Sequence, residues 1–270
     1  MTHTIVQYGK SLSADTDRWP SPGLWGNCPI LEFQLKHNGF YFFDDFMNME
    51  TYAAADNKKY ATYGDTGVTW TPQTGALTGV MEVAGNDADH DQIAITANSG
   101  AGAMVAISDT AGANKEMWFE ARLKQASIGA LDLAYFIGVA AAGSAANNGL
   151  ILDASQAMAN TSFIGFHADG ADANVDCVHA AGGASTVVHQ AAAHTTVADT
   201  YVKLGLYFDG TTMFWYVNGV KANATGVLPA ASQFPDGTAL TLAFSCKTAV
   251  LAAVLQQTDW WAIAQRFDAS

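Results

Sequence analysis

Two glutamates stand four residues apart in the segment KEMWFEARLKQ (115–125), at positions 116 and 120. Apolar and polar side chains alternate through this segment, which predicts a half-buried strand with Glu116 and Glu120 on its polar face. Paired carboxylates carry out glycoside hydrolysis when they lie about 5–5.5 Å or about 6.5–9.5 Å apart. Four strand residues separate the Cα atoms by roughly 13 Å, so these side chains would have to lean together. The alternative is an exposed strand face beside Arg122 and Lys124.

Three aspartates alternate in the segment NDADHDQ (86–92) and form the best candidate for a cation site. Asp87, Asp89 and Asp91 match the first ligands of a calcium-binding EF-hand loop. Gln92 stands where that loop needs glycine and Asn98 where it needs glutamate, so the segment is not an EF-hand. Asp-rich turns also accept backbone N–H hydrogen bonds without any metal. Calcium is therefore the one cofactor the sequence suggests, and no other cofactor is expected.

Four tryptophans are expected to face a partner subunit or a ligand: Trp19, Trp25, Trp118 and Trp261. The first two lie in the Pro- and Gly-rich run RWPSPGLWGNCP (18–29), and their rings dock either on their own domain or on a neighbouring subunit. Adjacent strand residues point to opposite faces, so one ring of the Trp260–Trp261 pair must face away from the core. Outward aromatic surface of this kind needs cover from protein or ligand.

The net charge of −13 excludes two classes of partner. The chain has only 12 Lys and Arg residues, and they form no basic run. Direct binding of nucleic acid or of an anionic membrane depends on such cations, so neither is expected. Only 14% of residues are charged, which favours a surface partly covered by other subunits; a tightly packed sandwich with short polar turns is the alternative.

The three cysteines and the N-terminus suggest folding in a reducing cytoplasm. Cys28, Cys177 and Cys246 are odd in number and widely spaced, so we expect buried free thiols rather than a disulfide framework or a zinc site. The N-terminal residues lack the charged region and apolar stretch of a signal peptide.

Short strands separated by turn signals predict an all-β chain folded as an antiparallel sandwich. Residues 1–36 are expected to form an extended N-terminal arm, because proline is excluded from the interior of strands and helices. Residues 37–270 are expected to form the sandwich. The predicted strands fall in these segments: 40–46, 76–85, 91–98, 115–125, 133–143, 162–170, 201–222, 239–246 and 259–267.

The segment 201–222 resembles the laminin-G/concanavalin-like family. The likeness lies in Tyr201-Val-Lys203, the Asp209-Gly210 turn, and the aromatic strand MFWYVNG that ends in Asn218-Gly219. The resemblance implies a concanavalin-like jelly roll, a fold shared by lectins, glycan hydrolases, adhesion modules and virion proteins. Hydrolases of this fold commonly carry an acidic residue between their two catalytic carboxylates. Here that position is Trp118, so no catalytic residue is predicted and the chain is not expected to be an enzyme.

The chain also resembles jelly-roll structural proteins of tailed bacteriophages in its Ala- and Gly-rich strands and its Pro/Trp arm. This resemblance implies a virion structural protein, most concretely a capsid decoration (cement) protein assembled in the host cytoplasm. Its partners would be other virion proteins such as the major capsid protein, and its own copies in a homo-oligomer. The alternatives are a carbohydrate-binding, lectin-like module of a tail or fibre and, third, a glycan hydrolase that uses Glu116 and Glu120.

Overall fold

The computed structural model describes residues 18–47, 60–65, 68–74, 79–84, 91–97, 102–126, 133–146, 150–152, 155–170, 172–248 and 255–268. These residues form two antiparallel β-sheets of eight strands each, packed face to face. Strands are numbered along the chain, and the two layers are called the front sheet and the back sheet. The predicted all-β antiparallel sandwich is confirmed.

The front sheet contains the first and the last strand of the described residues. Its spatial order is β14 (Val220–Lys221), β13 (Met213–Val217), β12 (Val202–Phe208), β7 (Met117–Gln125), β16 (Leu255–Arg266), β4 (Met81–Ala84) and β3 (Thr69–Pro72). The remaining strand, β1 (Gly39–Asp44), pairs with the second half of β16.

The back sheet also has a long strand from the last part of the chain in its interior, β15 (Ala239–Thr248). Its order is β11 (Val187–Thr195), β10 (Asn174–Ala180), β9 (Phe163–Ala168), β8 (Leu133–Ala141), β15 (Ala239–Thr248), β5 (Gln92–Ala97) and β2 (Tyr60–Gly64). The short strand β6 (Val105–Ala106) pairs with the start of β15.

The main core lies between the sheets and uses the apolar side of each alternating strand. β7 contributes Met117, Phe119, Ala121 and Leu123, and β12 contributes Val202, Leu204, Leu206 and Phe208. One end of this core is a cluster of aromatic rings: Phe46, Tyr60, Trp70 and Trp261. Trp215 joins the layers, because its indole Nε1 on the front sheet donates to the carbonyl of Gly165 on the back sheet, 2.8 Å away.

Every predicted strand segment contains a strand, whereas five strands were not predicted from the sequence: β2, β3, β6, β10 and β11. The longest of these, β11, lacks clear alternation because its pairing with β10 shifts register twice. Bulges of this kind break the period of two on which recognition of a strand depends.

The prediction of an extended arm is wrong for the part of residues 1–36 that the structure describes, which begins at residue 18. This part holds two short helices, α1 (Pro22–Trp25) and α2 (Ile30–Lys36). Proline is compatible with the first turn of a helix, where its missing N–H would have no partner in any case. Both helices pack against the front sheet of their own chain. Neither is long and apolar enough to cross a membrane.

Phe33 of α2 provides a test of how firmly this part of the chain is held. Its ring is buried against Trp118, with the ring centroids 6.2 Å apart, whereas Leu35 on the same helix is exposed. We expect Phe33→Ala to lower the free energy of unfolding by about 3 kcal/mol, because it leaves a cavity under the helix. Val220→Ala is the control, because Val220 is 70% exposed on β14, and it should change the free energy of unfolding by less than about 0.5 kcal/mol. Urea unfolding of both variants measures the difference, and equal effects would contradict the packing.

Candidate functional site

The outer face of the front sheet, which points away from the main core, carries the side chains with chemical potential. Three rows cross strands β12, β7 and β16 at this face. They are Tyr207–Trp118–Ala264, Gly205–Glu120–Ala262 and Lys203–Arg122–Trp260. Glu120 lies in the second row, and Glu116, just before β7, accepts a hydrogen bond from Tyr207 of the first row, so the two predicted glutamates share a face as their spacing indicated.

Residues 18–36, here called the covering segment, lie across this face. Leu24 packs onto β12 at Gly205, where an added Cβ would stand 2.5 Å from the Leu24 Cδ2 atom. Trp25 meets Tyr41 of β1 edge to face, with ring centroids 5.8 Å apart. The Asn27 amide donates to the Tyr207 hydroxyl at 2.9 Å and accepts from the Trp118 indole at 3.1 Å. The covering segment thus spans the sheet from β12 to β1.

Glu120 is fully buried beneath the covering segment. Its Oε2 atom accepts the backbone N–H of Ser21 at 2.8 Å and the indole N–H of Trp25 at 3.0 Å. Burial raises the pKa of the Glu120 carboxyl above its ordinary value, although these hydrogen bonds and the charge of Lys203 act in the opposite direction. The Glu120 carboxyl holds the covering segment in place, and Glu120 is not exposed to solvent.

Glu116 has a separate set of partners at the end of the same face. It accepts a hydrogen bond of 3.0 Å from the Tyr207 hydroxyl and forms an ion pair of 3.1 Å with Arg266. Burial, followed by the nearby Glu116 charge, raises the pKa of Tyr207. The structure therefore divides the two glutamates between different partners. The face that carries them is largely buried, so the alternative of an exposed strand face is wrong.

A cluster of charged side chains continues the site beyond the row of Glu120. Asp259 stands at a bulge in β16, between Thr258 and Trp260, and is 1% exposed. It accepts three hydrogen bonds of 2.7–3.0 Å from the Arg18 guanidinium and one of 2.5 Å from Arg122. Two guanidiniums thus share one buried carboxylate. We call Arg18, Arg122, Lys203, Tyr201 and Asp259 the Asp259 cluster.

Aromatic and basic side chains complete the edge of this cluster. The Arg122 guanidinium stacks on the ring of Tyr201, 3.7 Å from its centroid. Lys203 donates from Nζ to the backbone carbonyl of Trp19 at 3.3 Å, and the Trp260 indole donates to the carbonyl of Arg18. Trp19 itself is 64% exposed, although its backbone is held by this network. The cluster therefore combines fixed polar groups with a solvent-exposed indole.

The four tryptophans expected at an interface or ligand surface fall into different places. Trp261 belongs to the main core, and Trp25 and Trp118 are buried together in the cluster between the covering segment and the front sheet. The expectation that these three face a partner or ligand is therefore wrong, because Trp261 points into the core and the covering segment of the same chain buries Trp25 and Trp118. Trp19 is the member that faces solvent.

The candidate calcium site lies mostly outside the described residues, which include neither Asp87 nor Asp89. Asp91 is buried, and its backbone carbonyl accepts the N–H of Thr248 at 2.8 Å. Among the residues that the structure describes, no group of three His, Cys, Asp or Glu side chains is placed to hold a metal ion. Calcium at 86–92 therefore stays a prediction.

The three cysteines are free, as expected, with Cys177 and Cys246 buried and Cys28 half-buried. Burial raises the pKa of both Cys177 and Cys246 to about 12, so these thiols are poor nucleophiles.

Sequence reasoning did not find the Asp259 cluster. Arg18 and Asp259 are 241 residues apart, and Arg122 and Asp259 are 137 residues apart. No local motif connects such positions. The only sequence signal was the polar face of 115–125, which placed Arg122 beside the glutamates.

Comparison with known proteins identifies the architecture. No protein-family profile matches the chain, and no curated protein matches its sequence. Among solved structures, a protein of unknown function from Shewanella oneidensis MR-1 matches with a TM-score of 0.55 and 12% identity, over 86% of this chain and 88% of the other. Peanut lectin matches with a TM-score of 0.52 and 13% identity, over 84% of this chain and 97% of the lectin.

The catalytic domain of an endo-1,3-beta-glucanase from Thermotoga petrophila RKU-1 matches with a TM-score of 0.54 and 8% identity, over 83% of this chain and 96% of that domain. The fold is a concanavalin-like jelly roll. The concanavalin-like jelly roll expected from segment 201–222 is therefore confirmed, and identities this low establish the fold alone.

Removal of the shared carboxylate tests the Asp259 cluster. Asp259→Ala leaves Arg122 buried without its ion-pair partner, and we expect a loss of about 3 kcal/mol in the free energy of unfolding. Asp199→Asn is the control, because it removes an exposed carboxylate that pairs with Lys124 at 3.4 Å and keeps a residue type that tolerates the positive φ of this position. It should cost less than about 0.5 kcal/mol. Chemical denaturation compares the two, and a small loss for Asp259→Ala would contradict the buried pairing.

The raised pKa of Glu120 predicts a specific pH dependence. Between its ordinary value near 4.5 and the raised value, the folded protein binds more protons at this site than the unfolded chain. The stability linked to Glu120 is therefore fully present at low pH and decreases as the pH rises. Glu120→Gln keeps an oxygen acceptor for Ser21 and Trp25 but does not titrate.

The stability of Glu120→Gln relative to the natural protein should therefore increase from pH 4.5 to pH 7.5 in urea unfolding. Glu120→Ala, which lacks the acceptor, should be less stable than Glu120→Gln at every pH. A relative stability of Glu120→Gln that decreases over this range would show that hydrogen bonds to the ionised carboxylate outweigh its burial.

Proposed function

We propose that this protein binds glycans without cleaving them, through Trp19 and the Asp259 cluster on the outer face of the front sheet. The observation that carries the proposal is an indole exposed to solvent on a backbone that a buried network of Arg18, Lys203 and Asp259 holds in place. The glycan-binding function was the alternative that the sequence analysis left open.

The chemistry of a sugar matches this combination of groups. One side of a pyranose ring presents C–H groups that stack on an aromatic ring, and its hydroxyls form hydrogen bonds with planar charged groups. Arg18 is the member of the cluster with a 24% exposed side chain, and its contacts with Asp259 already order it, so binding would cost little side-chain entropy. Ligand sites generally combine apolar surface with a few well-placed polar groups.

The structural neighbours support the same class of ligand. Besides peanut lectin, they include the carbohydrate recognition domain of Emp47p and a glycoside hydrolase from Bacteroides ovatus in complex with a mixed-linkage glucan product. These proteins are 8–14% identical to this chain, so for this chain a glycan ligand is a proposal.

Two observations favour binding over hydrolysis. Glu120 is buried and hydrogen-bonded to Ser21 and Trp25, and Glu116 is paired with Arg266. A hydrolytic pair must place both carboxyls on either side of the scissile bond. With the covering segment in place, a sugar cannot reach Glu120.

Replacement of Trp19 tests the proposed site. The experiment is a glycan array, followed by titration calorimetry on the best ligand, with and without calcium. We expect Trp19→Ala to weaken binding at least tenfold without changing the melting temperature, because the side chain is exposed. Trp19→Phe should retain part of the affinity.

Val220→Ala is the matched control, since Val220 is 70% exposed on the edge strand β14. If no glycan on the array binds the protein, either with or without calcium, the proposed function is excluded. Binding that Trp19→Ala leaves unchanged would place the site elsewhere on the protein. A requirement for calcium would support the cation site at 86–92.

The exposed face of α2 favours a second candidate function, that of a structural subunit. Leu31 and Leu35 are both exposed there, one turn apart, and adjacent apolar side chains that form a patch mark sites of protein contact. The bacteriophage decoration protein suggested by the sequence, with the major capsid protein as partner and the virion as location, is a proposal of this kind. A silent glycan array together with a stable multimer in light scattering would support it over glycan binding.

A further inference from the structure

We propose that α2 is a self-association surface, on which two copies of this chain pack antiparallel around a two-fold axis. The inference goes beyond glycan binding and does not depend on it. Leu31 and Leu35 are 71% and 79% exposed, more than any other large apolar side chain in the described part of the chain. They lie four residues apart and so occupy one side of the helix.

The opposite side of α2 explains why these leucines are not needed for folding. Phe33 points into the cluster beneath the covering segment and contacts Trp118. A surface helix of this kind normally carries polar side chains on its solvent side. In α2 the solvent side presents two leucines among the polar residues Glu32, Gln34 and Lys36.

The charged residues define the orientation of the partner. Glu32 and Lys36 form an exposed i,i+4 ion pair of 3.7 Å next to the two leucines. In an antiparallel pair of helices, Leu31 of one copy faces Leu35 of the other. Glu32 then faces Lys36, and each contact occurs twice. The surface is therefore complementary to itself, as a two-fold interface requires.

Phe267 extends this surface at the C-terminal end of α2. Its backbone N–H donates to the carbonyl of Asn38 at 2.7 Å, and its half-exposed ring packs near Phe40, with ring centroids 6.3 Å apart. Two short helices bury less than the roughly 1,200 Å² of a standard interface. We therefore expect a weak dimer whose population depends on concentration.

The test is sedimentation equilibrium of the full chain over a hundredfold range of concentration. The natural protein should show a monomer–dimer equilibrium, and Leu31→Ser/Leu35→Ser should weaken dimerisation at least tenfold. Val220→Ser removes a side chain of similar exposure from β14 and should leave the dimer unchanged. Circular dichroism and the melting temperature confirm that each variant is folded.

A charge exchange separates this geometry from general hydrophobic association. Glu32→Lys places like charges opposite each other twice and should weaken the dimer. The double exchange Glu32→Lys/Lys36→Glu restores opposite charges and should recover it. A monomer at every concentration would overturn the proposal, as would a dimer that neither leucine variant affects. A dimer that the double exchange does not restore would overturn the antiparallel arrangement. Each of these outcomes leaves the glycan-binding test untouched.

Discussion

The contact between the covering segment and the outer face of the front sheet determines which side chains of that face are buried. A sandwich buries only the inner face of each sheet, yet the outer face here carries Trp118 and Trp260. Removing large aromatic rings from water is favourable and stabilises the folded protein. Leu24, Trp25 and Phe33 supply that cover from the same chain. The outer face thereby becomes a second apolar layer rather than an open surface.

Covering a sheet that also carries charged side chains creates a second requirement. A buried ion is costly unless a partner compensates its charge. N–H donors from the covering segment offset part of this cost for Glu120, whose pKa is still raised by burial, and Asp259 compensates the charge of Arg122. Arg18, at the start of the described segment, joins the same carboxylate. The polar contacts therefore fix where the segment lies, while the aromatic contacts supply much of the stabilisation.

The position of this segment bears on the choice between function classes. Glucanases and lectins share the fold, so the fold does not distinguish catalysis from binding. The covering segment closes the part of the face that holds Glu120 and leaves Trp19 exposed beside the Asp259 cluster. It also places the leucines of α2 at the surface. The proposed glycan site and the proposed self-association surface therefore lie on different parts of one segment, and neither proposal requires the segment to move.

Local patterns in the sequence were enough to predict the sandwich. The alternation in 115–125 and in 201–217 depends only on the period of a strand, and Asn218-Gly219 forms the predicted turn, with positive φ angles at both residues. The sequence could not show that the outer face of β7 would also be buried, because that burial depends on residues 91 to 99 positions away along the chain. The proline-rich segment was therefore predicted to be an extended arm, and Trp25 and Trp118 to lie at a surface. Only the tertiary structure brings Ser21, Glu120 and Asp259 together, since long-range contacts leave no periodic signal in the sequence.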